Sequence, residues 1–515
     1  MASDSKASAD ESNQNDISVM HDENKVVGGT HQVAERGTLA TNQYGESLIV
    51  FDKAAEAKLR RKIDFYIIPT VSLLYLFCFI DRANIGNARI AGMEKDLELV
   101  GYDYNQILSV FYVSYILFEI PCTVLCKYIG PGWFIPATSL LFGICSVGTA
   151  FVKSTAAACG VRFLLGVFEA GMLPGIAYYL SRWYRRSELA FRLSLYIVMA
   201  PLAGAFGGLL ASGILKLSHF GSLHTWRMIF GIEGVITIGL SLISFFTLTD
   251  NPGTARWLSQ AEKDLAIARV KSERIAATEV LDKIDMPKLV KGIFNPVTLG
   301  TSFIFLLDNI TVQGLAFFAP TIVRTIYPTN TVVSQQLHTV PPYVVGAFIT
   351  LLVPYLSSIT DRRTIYFIAS APLMMVGYIM FLASTDGHVR YGATFLIAMG
   401  AFSFGALCNA QVSANVVSDT ARSAAIGTNV MFGNVGGLIA TWSFLPTDGP
   451  NYHIGNGLNL ATSSVIFISS ICLLAWMKFD NKRRENKNIE EELGGFTQGA
   501  IQDLDWQHPA FRWRP

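Results

Sequence analysis

Residues 64–86, DFYIIPTVSLLYLFCFIDRANIG, decide the fold class. The stretch is apolar over about 20 residues, the length a helix needs to cross a bilayer. It nevertheless carries Asp81 and Arg82. A second apolar stretch, RFLLGVFEAGMLPG at 162–175, holds Arg162 and, two helical turns further on, Glu169. Charges in hydrocarbon are expensive and are kept where they serve a task. Two guanidiniums and two carboxyls, able to pair across two helices, suggest a buried site that handles an anion and a proton. That pattern points to a transporter.

The rest of the chain agrees with this start. Of 515 residues, 51% are hydrophobic and 15% charged, whereas a soluble protein carries about a quarter charged. Apolar runs of spanning length recur and do not alternate in the way strands of a membrane barrel would. They predict twelve spans, at roughly 64–86, 105–128, 133–152, 156–181, 191–216 and 226–248, then 295–324, 338–358, 364–383, 389–412, 421–443 and 459–478. The expected architecture is an all-α membrane protein with twelve transmembrane helices in two six-helix halves. The halves cover 63–249 and 294–478, with a central loop at 250–293 and tails at 1–62 and 479–515. The N-terminal tail is polar and lacks the apolar core of a signal peptide, so it is expected to be disordered, with the first span as its own targeting signal.

Basic residues set the expected orientation. Lys58, Arg60, Arg61 and Lys62 precede the first span, and Arg182, Arg185, Arg186 and Arg192 follow the fourth. Arg362, Arg363 and the basic residues of the central loop and C-terminal tail fall on the same side. Both termini are therefore expected in the cytoplasm of a multi-pass membrane protein, with the plasma membrane as its expected home. The central loop, AEKDLAIARVKSERIA, is expected to form short, solvated surface helices.

Several function classes find no support. Cys78, Cys122, Cys126, Cys145, Cys159, Cys408 and Cys472 lie in apolar segments without metal-ligand spacing. NPGTARWL lacks the Lys–Ser/Thr ending of a phosphate loop. No catalytic constellation, cofactor site or nucleic-acid surface is expected, so the energy source would be an ion gradient. Glycines suit close helix packing, with Gly204 and Gly208 in span five and Gly433 and Gly437 in span eleven four residues apart.

LYLFCFIDRANIGNARIAGMEKDLEL (74–99) and QILSVFYVSYILFEIPCTVLCKYIGPGWFIP (106–136) resemble the opening of the anion:cation symporter family, within the major facilitator superfamily. VRFLLGVFEAGMLPGIAYYLSRWYRRSE and WRMIFGIEGVITIGLSLISFFTLTDNPGTARWL resemble its spans four and six. GLAFFAPTIVRTI, HTVPPYVVGAF and FGNVGGLIATWSFLPTDGPNYHIGNGLNL continue the likeness through the second half. Within the family the chain looks like the fungal allantoate and nicotinate permease branch. The superfamily's loop signature is reduced to CKYIGPGWFIP after span two and to SSITDRR after span eight. The resemblance implies proton-coupled symport of a small organic carboxylate such as nicotinate, allantoate or pantothenate, by a monomer.

Arginine suits a carboxylate because its planar fork is always charged, and a buried carboxyl suits a proton. Arg82 and Arg162 are thus candidates for the anion, and Asp81 and Glu169 for the proton. The resemblance implies the same assignment. The four would serve equally as structural ion pairs between spans one and four. Softer candidates are Asp308 for the proton, and Tyr75, Asn309 and Gln313 for the substrate. Tyr112, Tyr115, Tyr178, Asn409, Gln411, Asn415, Asn429 and Asn434 are polar residues that would either bind substrate or bond between helices. Glu119 is expected at a helix end or gate. Two other readings stay open: a non-transporting nutrient receptor, and an uncoupled facilitator or exporter.

Overall fold

The computed structural model describes residues 52–184, 186–272, 286–486, 492 and 504–515. In the first half, Lys53–Asp96, Asp103–Ile129, Pro131–Thr149, Thr155–Ser181, Phe191–Ile214 and Trp226–Thr247 have the length and apolarity to cross a membrane. In the second half, Pro296–Ile326, Val332–Thr360, Thr364–Ala383, Gly387–Ala414 and His453–Glu485 do so too. Asp419–Ala440 takes the eleventh place. It is less apolar because its polar side chains face protein: Asn429 Nδ2 donates to Asn409 Oδ1 (3.1 Å) and Asn434 Nδ2 to Glu119 Oε2 (3.1 Å). These twelve helices are numbered below as spans one to twelve.

Span four is interrupted between Glu169 and Met172. Pro174 accounts for the break, since it has no N–H to offer the Ala170 carbonyl. Across the halves, span one packs on seven, two on eleven, and five on eight. The face carrying Lys53, the central segment and residues 504–515 is termed the tail face, and its opposite the far face. Cross-half hydrogen bonds gather toward the far face. Tyr104 Oη donates to Phe317 O (3.2 Å), Asn105 Nδ2 to Thr441 O (2.6 Å) and Trp442 Nε1 to Ser109 Oγ (2.8 Å). Glycines permit the approach: a Cβ on Gly86 would lie 2.6 Å from Phe317 O, and one on Gly204 would lie 2.5 Å from the Tyr343 ring.

Three expectations at the tail face need correction. Residues 1–51 of the N-terminal tail lie outside the described residues, but the first helix already begins at Lys53, capped by Asp52. KAAEAKLRRKI is rich in strong helix formers, which carries the helix well before the apolar run. The central segment forms helices Gln260–Ser272 and Met286–Ile293, as expected, yet it is more than a solvated face. Arg269 is 1% exposed and pairs with Glu56 (2.8 Å) and Glu188 (2.6 Å). The expected start of the C-terminal tail at 479 moves as well. Span twelve runs on to Glu485, and Leu504–Pro515 docks on the tail face of the second half. There Trp513 is buried and donates to Asp480 Oδ2 (2.6 Å), and Asp505 accepts from the backbone N–H groups of Val417 and Ser418.

Candidate functional site

Spans one and four run in opposite directions, and that brings Arg82 and Glu169 together. A side chain leans toward the N-terminal end of its own helix. Arg82, on a span rising to the far face, leans back toward the tail face, while Glu169 leans the other way. They meet as an ion pair, Nε to Oε2 at 2.7 Å, with side chains 4% and 0% exposed. The Arg82 guanidinium also lies 4.7 Å from the Phe79 ring centre, 5.1 Å from that of Phe111 and 4.8 Å from that of Tyr115. Ring faces are negative, so they hold this cation without a second anion. Glu169 Oε1 has no hydrogen-bond partner among the described residues.

The second pair is looser. Arg162 Nη1 stands 3.9 Å from Asp81 Oδ2, beyond hydrogen-bond length. Ser146 Oγ donates to the other oxygen, Asp81 Oδ1, at 2.6 Å. Arg162 Nε and Nη2 are buried without partners among the described residues, and the guanidinium lies 5.5 Å from the Phe230 ring centre. Unmatched buried donors raise the energy of the site until an acceptor arrives. The arrangement can exchange an internal carboxylate for an external one at either arginine. A carboxyl so released must take a proton or stay as an unpaired charge in low dielectric.

Of the softer candidates, Tyr115 joins this cluster through its ring and Tyr75 borders it behind Phe79, whereas those on span seven lie in the other half. Tyr75 is buried by packing, 4.9 Å from the Phe79 ring and 5.0 Å from that of Tyr196. Asn309 and Gln313 sit on span seven in the other half, where Asn309 Nδ2 donates to Phe305 O (2.9 Å) and Gln313 Nε2 reaches Asn309 Oδ1 (3.5 Å). Asp308 is buried in the second half beside Tyr378 and Cys408, with both oxygens unpartnered among the described residues. Asn415 and Gln411 bond the docked tail through Arg514 O. Tyr112 packs its ring against Gly437 across the halves, and Tyr178 lies beneath Arg182. Glu119 is mid-helix rather than at a helix end, and its bond to Asn434 crosses the halves.

One residue escaped the sequence reading. Glu233 on span six is 2% exposed with neither carboxylate oxygen partnered among the described residues. The signal was the one that singled out Glu169, a lone acid in an apolar run, here WRMIFGIEGVITIGL.

The Major Facilitator Superfamily profile matches residues 71–441. The chain is 31% identical over 462 residues to the high-affinity nicotinic acid transporter of Saccharomyces cerevisiae, covering 89% of this chain and 85% of that one. It is 30% identical over 475 residues to the major facilitator-type transporter hxnP of Emericella nidulans, covering 90% and 94%. The fold is shared with a bacterial homologue of the human lysosomal transporter Spinster in an inward-facing, unoccupied conformation. The TM-score is 0.58 at 15% identity, over 82% of this chain and 96% of that one. From the charged first span through the eleventh, the chain belongs to the Major Facilitator Superfamily, among fungal transporters of the nicotinate-permease-like branch.

Proposed function

We propose that the protein is a secondary active transporter that imports a small organic carboxylate together with protons, working as a monomer in the plasma membrane. The observation that carries this reading is the buried Arg82–Glu169 pair, 2.7 Å apart, with Glu169 Oε1 unpartnered among the described residues. A substrate carboxylate that takes the Arg82 fork displaces Glu169, and the displaced carboxyl is stable there only with a proton. Anion binding and proton binding thereby become one event. The basic residues of the tail face, Lys58, Arg60, Arg61 and Lys62 among them, support a cytoplasmic tail face. The closed far face then corresponds to a carrier shut toward the outside.

A curated relative is named for nicotinic acid, so nicotinate leads the substrate series, followed by allantoate and pantothenate. The test is uptake of each labelled acid into cells lacking their own permeases, with and without an inward proton gradient. Gradient-driven accumulation of one of them is expected. In the variant Glu169→Gln, accumulation is expected to fall to simple equilibration while exchange of labelled for unlabelled substrate continues. Wild-type uptake that ignores the gradient would discard proton coupling. Binding without uptake would favour a receptor.

A further inference from the structure

Glu233 belongs to the same charged cluster as Asp81, although span six and span one are far apart in sequence. The residue after it, Gly234, abuts span three so closely that a Cβ would lie 2.7 Å from the backbone nitrogen of Val147. Glu233 thus stands level with Ser146, whose hydroxyl holds Asp81 Oδ1. Phe230, less than one turn earlier, carries Arg162 over its ring. Of the elements packed on span six, span one presents Asp81, span three carries no ionisable side chain other than Cys145, and Met199–Ile214 of span five has none. Arg89, near the far-face end of span one, is engaged by Glu94 (3.3 Å) and the Tyr104 ring.

Charge balance then decides where a proton rests. With Glu119, which lies in the field of Arg82 and is held by Asn434, there are four buried carboxyls, Asp81, Glu119, Glu169 and Glu233, to two buried guanidiniums, Arg82 and Arg162. Arginine does not give up its proton. Full ionisation would leave two unmatched negative charges in hydrocarbon, so at least two acids are neutral. Asp81 and Glu169 each have an arginine ion pair; among the described residues Glu119 and Glu233 have none, and Glu233 is the one beside Asp81. Its distance from the far-face end of span six, seven residues on, is about 10 Å.

We propose that Glu233 is a proton-relay residue that feeds Asp81, an inference resting on the proton-coupled reading above. When Arg162 turns to a substrate anion, Asp81 loses its counter-ion. The O–H bond at Glu233 breaks as one forms at Asp81 Oδ2. Glu233 then regains a proton from outside water while the far face is still open.

The test uses the full chain in proteoliposomes and two readouts, gradient-driven accumulation and self-exchange of labelled nicotinate, then allantoate and pantothenate. Glu233→Gln mimics the neutral acid, so a purely structural role predicts wild-type behaviour. The relay predicts gradient-driven uptake slowed about tenfold or more with exchange kept. Coupled uptake at the wild-type rate in Glu233→Gln would overturn the relay and leave the symport reading standing. Absence of gradient-driven uptake in the wild type would overturn both. If Glu233→Gln shows no exchange and hence no folded carrier, Glu233→Asp replaces it. Its shorter reach predicts slowed coupled uptake with exchange kept, and an unchanged coupled rate overturns the relay.

Discussion

At the scale of single residues, the contrast between the two arginines is the informative feature. Arg82 is satisfied by Glu169 and three aromatic rings, whereas Arg162 keeps two donors above Phe230 that are unmatched among the described residues. A lysine at position 82 would keep the charge but lose the fork and much of the stacking. Arg82→Lys is therefore expected to raise the substrate concentration for half-maximal uptake about tenfold, or about 1.4 kcal/mol, with the protein still at the surface. An unchanged concentration dependence would remove Arg82 from the binding site. The charged residues themselves were legible in the sequence, because each interrupts an apolar run. Which carboxyl faces which arginine was not: spacing along span four relates Arg162 to Glu169 but says nothing about span one. Glu233 needed the fold as well, since only helix packing brings it level with Ser146.

Among the elements, the far face is closed by glycines set against backbone and rings. Gly86 meets Phe317, Gly204 meets Tyr343, and Gly437 meets Tyr112, each across the two halves. Spacing in the sequence marked two of these helix faces as smooth, those of spans five and eleven, but not their partners in the other half. A larger side chain at such a contact costs about 1–3 kcal/mol in a packed interior. Here it would fall on one conformation rather than on the fold. Gly86→Val is expected to hold the far face apart, lowering uptake while raising maleimide labelling of a cysteine placed at Ser109, now beneath Trp442. Unaltered labelling would show that this contact is not part of the closure. The break in span four was likewise half legible, since Pro174 announces an interruption without showing that Glu169 sits at its edge.

For the molecule as a whole, the tail face is tied together more than its composition suggests. Arg269 joins the central segment to Glu56 and Glu188, and the docked Leu504–Pro515 segment reaches spans eight to twelve through Arg363, Asn415, Val417 and Asp480. Truncating a buried Trp costs about 3–5 kcal/mol, so Trp513→Ala is expected to lower the midpoint of thermal unfolding in detergent by about 5 °C or more. No shift would mean that the docked segment adds nothing to stability. The sequence by itself determined that the chain is a bundle of membrane-spanning helices with a few charges inside, because span length and the cost of a buried charge are local properties. It also settled the six-plus-six division, through the polar stretch in the middle. Only the tertiary structure decided which charges pair, which face is closed and where the C-terminal segment lies. Those outcomes depend on contacts between residues far apart in the chain, and helix periodicity carries no information about them.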